Sequence, residues 1–93
     1  MNRDKAGAAQ AKAHLRALAT AESAYFAVNR RFTAEIQVSD SSHATGWVLV
    51  ADSKTLMAVA THPWTSGMCS MTLVADTTGV RASEPPHCTW HYN

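Results

Sequence analysis

The sequence predicts an α+β domain in which one long N-terminal helix lies across a four-stranded antiparallel β-sheet, with a disulfide-closed C-terminal region. Three observations lead there. From residue 5 to residue 30 alanine dominates, with no proline and no glycine after Gly7. From residue 47 the apolar residues fall into short β-prone runs parted by turn residues. Two cysteines, Cys69 and Cys88, bracket a stretch that reads as a hairpin.

The helix predicted over residues 5–30 has two unlike sides. At about 100° per residue, Ala11, Leu15, Leu18, Glu22, Tyr25, Phe26, Val28 and Phe32 gather in one broad sector, which is expected to cover the protein's own sheet. Opposite them stand Ala6, Ala9, Ala13, Ala17, Thr20, Ala24 and Ala27, all small, edged by Gln10, Lys12, Arg16 and Arg30. A ridge of small side chains lets another helix approach closely. It is also what a solvated surface built from good helix formers looks like, and periodicity alone does not choose between the two.

Residues 33–46, TAEIQVSDSSHATG, read as a loop from helix to sheet with Ile36 and Val38 as anchors. The sheet is expected over residues 47–83. Its parts are WVLVA and TLMAVAT joined by Asp52-Ser53-Lys54, a turn at HPWTSG, then MCSMTLVA and a shorter fourth strand after DTTG. Residues 84–93, with their proline pair, are expected to cross the surface as a tail pinned by Cys88 to Cys69. The chain forms one domain over residues 1–93.

Ninety-three residues are near the size at which one core barely sustains a fold, so a staple is expected. A Cys69–Cys88 bond would close a loop of about 20 residues and contribute roughly 3 kcal/mol in the chain-entropy picture. It implies an oxidising compartment. Eight Lys and Arg stand against seven Asp and Glu, with only 16% of residues charged, so there is no one-signed patch of the kind that tracks nucleic acid. No run of apolar residues is long enough to span a bilayer, and Met1-Asn2-Arg3-Asp4-Lys5 is not a signal peptide.

The candidate chemical sites are weak. His87, Cys88 and His91 with Cys69 can be drawn as a zinc site, but their spacing matches no paired ligand arrangement and a disulfide is favoured. Ser41, Ser42 and His43 are neighbours along a loop, which does not make a nucleophile and its base. Glu22 is a carboxylate on the face assigned to the core, expected to bond backbone donors of the following loop or to pair with Arg31. No phosphate-binding glycine loop, calcium loop or paired-carboxylate site is present, so no cofactor, metal or catalytic residue is assigned. Trp64 in its turn and Trp90 in the tail are either neighbour contacts or packing around the disulfide.

The segment KAHLRALATAESAYFAVNRRFTA resembles the second half of the long helix of type IV pilins and pseudopilins. GWVLVADSKTLMAVATHPWTSGMCSMTLVADTTGVRASEPPHCTW is similar to the sheet of the same proteins: a Gly-aromatic strand, a strand ending in Thr-His, a Gly-x-x-Cys strand and a closing Pro-x-Cys-Thr. The likeness covers nearly the whole chain. It implies a structural, non-enzymatic subunit of a pilus or related secretion filament, polymerising through its helix, or alternatively a minor pilin that binds DNA or a surface ligand through Lys54, Arg81 and the tail aromatics. The basic leader and the membrane-spanning apolar half that begin such subunits are not in this sequence, so the resemblance implies the globular part of one. It further implies that Leu15, Leu18, Glu22, Tyr25 and Phe32 face the subunit's own sheet, and that Ala6, Ala13, Ala17, Ala24 and Ala27 face other subunits. The expected partners are other subunits in a helical filament at the cell surface, reached from a membrane-anchored form, while the soluble chain alone is expected to be monomeric.

Overall fold

In a computed structural model, residues 2–40 and 42–89 are described. Helix α1 spans Asn2–Asn29, beginning earlier than the composition suggests. Its alanines, leucines and basic residues are strong helix formers, and Asp4 sits in the first turn, where the helix dipole favours an anion. It stops where Arg30 enters the left-handed region with φ 57°. There the Asn29 side-chain amide donates to the Tyr25 carbonyl at 3.1 Å, and Arg30 N–H closes the last turn on the Phe26 carbonyl at 2.8 Å. The chain then doubles back, and Phe32 tucks beneath Phe26 with ring centroids 5.2 Å apart.

Strands β1 Thr45–Asp52, β2 Thr55–Thr61, β3 Cys69–Asp76 and β4 Gly79–Cys88 form an antiparallel meander in the order β1-β2-β3-β4. Each tight turn is closed by an aspartate. Lys54 N–H donates to Asp52 Oδ1 at 2.8 Å, and Thr78 N–H donates to Asp76 Oδ1 at 2.8 Å. At the end of the second turn Gly79 takes φ 130°, a conformation that side-chain-bearing residues rarely adopt.

One correction concerns the predicted tail. Residues 84–88 are the end of β4 rather than a surface crossing. β4 is an edge strand, and its prolines fall where the ladder is irregular, between Thr72↔Glu84 and Ser70↔His87. Their missing N–H groups therefore break no regular pairing. The sheet likewise starts at Thr45, not at Trp47.

Helix α1 covers one face of this sheet. Leu15, Leu18, Phe26 and Phe32 meet Val48, Leu56, Ala58, Ala60, Cys69, Met71, Leu73 and Ala75 in a single core, with Ile36 and Val38 of the connecting loop packed against it. The alternation is clearest in β3, where Cys69, Met71, Leu73 and Ala75 are buried and the residues between them only partly so. Cys69 and Cys88 stand opposite each other at one end of the β3–β4 ladder and are joined as a disulfide.

Candidate functional site

The side of α1 turned away from the sheet is built from small residues. Ala13, Ala24 and Ala27 are exposed and Ala6 and Ala17 half-buried, and among the described residues no helix or strand packs over the ridge they form. Of the residues expected on the sheet side, Leu15, Leu18, Glu22 and Phe32 are buried. Tyr25 is only half-buried at the rim, with the Arg31 guanidinium 5.7 Å from its ring centroid. Val28 corrects the broad apolar sector: it is 80% exposed, because at 100° per residue it flanks the alanine ridge rather than the leucines.

Two shallow grooves border the ridge. One, of about 340 Å³, runs between Gln10, Ala13 and Ala17 of the helix and Asp40 and Ser42 of the loop. The other, of about 290 Å³, lies between the last helical turn at Phe26, Ala27 and Arg30 and the β3–β4 turn at residues 77–80.

The wall of the first groove is fixed by a partly buried polar network that sequence patterning did not reveal. His14 Nδ1 lies 2.8 Å from Asp40 Oδ2. The other oxygen, Asp40 Oδ1, accepts from the Ser42 hydroxyl at 2.6 Å and from Ser42 N–H at 3.0 Å. The Ser42 hydroxyl, then its amide, and then His14 hold the Asp40 carboxyl well below its usual range, down to about 2. Next to this pair, His62 Nε2 faces two acceptors, Gln10 Oε1 at 3.0 Å and the Ser42 carbonyl at 2.9 Å, while Trp64 N–H donates to Nδ1 at 3.2 Å. That geometry fixes the proton on Nε2. The helix, the loop and the turn after β2 are thereby tied together.

Two glycines permit the fit. A Cβ at Gly46 would overlap the His14 imidazole and lie 3.0 Å from Leu18 Cδ1. A Cβ at Gly7 would stand 2.8 Å from Thr65 Cγ2 and 3.1 Å from Trp64 Cβ, so the helix approaches the 62–65 turn closely only because that position has no side chain. Trp64 is accordingly a packing residue, half-buried, edge-on to His62 at 4.7 Å.

His14, Asp40 and Ser42 do not make a nucleophile. The serine hydroxyl donates to the aspartate rather than to an imidazole, so no base stands ready to take its proton. His43, the histidine next to Ser42 in sequence, is exposed and turned away with φ 59°, and Ser41 lies outside the described residues. The zinc set loses both sulfurs to the disulfide, and His91, like Trp90, lies outside the described residues. Among the described residues no group of three or more His, Cys, Asp or Glu stands where it would hold a metal ion.

Glu22 is wholly buried. Thr33 N–H donates to its Oε1 at 3.0 Å, tying the helix to the start of the loop, whereas Oε2 has no hydrogen-bond partner among the described residues. Burial raises its pKa above the ordinary 4.5, offset in part by the Thr33 bond. Arg31 is engaged with Tyr25 instead.

No family model, curated protein or solved structure matches this chain. The arrangement itself therefore carries the functional argument. Among the described residues no helix is long and apolar enough to cross a membrane.

Proposed function

We propose that this chain is the globular head of a structural subunit of a type IV pilus or related secretion filament, non-enzymatic, and that its helix ridge packs against neighbouring subunits. One observation carries the reading: a 28-residue helix closes the sheet with its large side chains and leaves a row of alanines uncovered along its other side. A helix that only roofed a sheet would gain solubility from charge on its outer side. Ala13, Ala24 and Ala27 give that up for close approach, the feature that helix–helix packing uses.

Each contact would bury modest apolar area, at about 25 cal/mol per Å². Repetition over a helical array with contacts that need not close would make the assembly stable. In this reading the subunit is anchored in a membrane before assembly and reaches the cell surface in the filament. The alternative of a DNA-binding minor subunit draws no support from Arg81, whose guanidinium is paired with Asp76 at 2.6 Å.

The test is to read the native gene through the codons upstream of Met1 and then look for the subunit in filaments. A basic leader ending in glycine, followed by about 20 apolar residues with an early glutamate, is the expected result. A conventional cleavable signal peptide there would overturn the filament reading.

A further inference from the structure

The two edges of the sheet are guarded unequally. The outer edge of β4 carries Pro85 and Pro86, two ladder irregularities, and the charged Arg81 and Glu84, which are the features that keep strands from pairing with strangers. β1 carries none of these from Thr45 to Val50. It pairs regularly with β2 over that stretch, and its sequence TGWVLVA has no ionisable side chain before Asp52. Its other edge is open. Among the described residues, the backbone hydrogen bonds outside the helix and the ladders join Arg30 to Phe26, Thr65 to His62, Ala75 to Lys54 and Thr89 to Met68, and none reaches β1. Six of its eight residues are exposed.

Exposure at this edge is also apolar on both faces. Trp47 and Leu49, 40% and 51% exposed, point away from the helix, and Val50, 37% exposed, points to the helix side. We infer that β1 is a pairing edge for the β1 strand of a second copy of this chain. The strand suits its own reverse. Antiparallel pairing about Val48 sets Trp47 of one copy against Leu49 of the other on the outer face, and Val50 beside Gly46 on the inner face, where the His14 and Leu18 side chains cover the glycine, so the exposed Trp47 and Leu49 meet apolar partners. The single carboxylate, Asp52, faces Ala44 of the second copy, and no like charges meet. The product is a two-fold, eight-stranded sheet that closes at two chains.

This inference does not rest on the filament reading. A two-fold pair reverses one helix relative to the other, which a polar array excludes, so the pair is a state of the free domain. It also departs from the monomer expected from the sequence.

The experiment is sedimentation equilibrium with amide hydrogen exchange on this chain, from about 10 µM to about 1 mM, the range in which weak strand pairing is measurable. Mass is expected to rise toward two chains, with β1 amides becoming protected as it does. Leu49→Lys and Trp47→Lys, both on the exposed outer face, should remain single chains throughout with unchanged melting curves. Ala24→Glu, on the helix ridge, should dimerise like the parent. A single chain at every concentration, growth beyond two chains, or association that survives both lysine variants while β1 amides exchange freely would each overturn the proposal. None of these outcomes bears on whether the native gene encodes a filament leader.

Discussion

Glu22 and Asp40 shape the pH dependence of this fold from opposite sides. Burial raises the Glu22 pKa above 4.5, so its contribution to stability is fully present below that value and is lost as pH rises through the folded value. Asp40 is lowered from 3.8 to about 2, so its contribution is present above 3.8 and is lost as pH falls toward the folded value. Asp76, lowered to about 2 by Thr78 and Arg81, adds to the acid limb with the same sign. Melting temperature is therefore expected to peak between the two reference values, 3.8 and 4.5. Glu22→Gln, which keeps an acceptor for Thr33 N–H and cannot ionise, should flatten the decline above the peak. Asp40→Asn should weaken the acid limb. Thermal melts of the three proteins from acid to neutral pH check this, and an unchanged decline in Glu22→Gln would refute the assignment to Glu22. At Gly46 the prediction is steric: Gly46→Ala pushes into the His14 imidazole and strains the Asp40 pair, costing about 1–3 kcal/mol by chemical denaturation.

At the scale of elements, the Cys69–Cys88 link fastens the end of the β3–β4 ladder just past the irregularity at Pro85 and Pro86. Without it the last pairs of β4 are held by an interrupted ladder and the hydrogen bonds between Thr89 and Met68. Reduction should therefore cost roughly 3 kcal/mol by loop entropy, lowering the melting point by about 10–20 °C in a domain of this size. An unchanged melt in reductant would remove the link from the account of stability. The elements that could be read in advance are those whose signal is local. Alanine content marked α1, β-prone apolar runs marked the strands, and turn residues such as Asp52-Ser53-Lys54 marked the hairpins, while Ile36 and Val38 stood out as the apolar residues of a polar loop. What escaped reading depends on contacts between distant positions. His14 looks like one polar residue in a helix until Asp40, 26 residues on, comes beside it. His62 acquires its role only when Gln10 and Ser42 converge on Nε2, and the β4 prolines are tolerated because, among the described residues, no strand pairs with the outer edge of β4. The row of small side chains was visible in the sequence, but the grooves beside it were not, since the loop that walls the first is positioned by those same histidines.

For the molecule as a whole, a small chain has divided one helix between two tasks: the leucine and phenylalanine side closes the core over the sheet, and the alanine side is left largely exposed. The division makes substitutions on the two sides separable. Leu18→Ala removes a buried side chain and should cost about 2–5 kcal/mol. Ala24→Trp and Ala27→Trp lie on exposed positions and should shift stability by no more than about 0.5 kcal/mol. If the ridge is an assembly face, those same tryptophans placed in the full-length subunit should abolish incorporation into filaments, because a bulky ring holds neighbouring helices beyond the distance at which small side chains mesh. A substitution at the sheet's outer face, such as Met57→Lys, should leave incorporation intact, which separates loss of a particular surface from general damage. Filament yield by electron microscopy, set beside the melting curve of each variant, gives the result. Normal filaments from the tryptophan variants would mean that the alanines do no more than favour the helix.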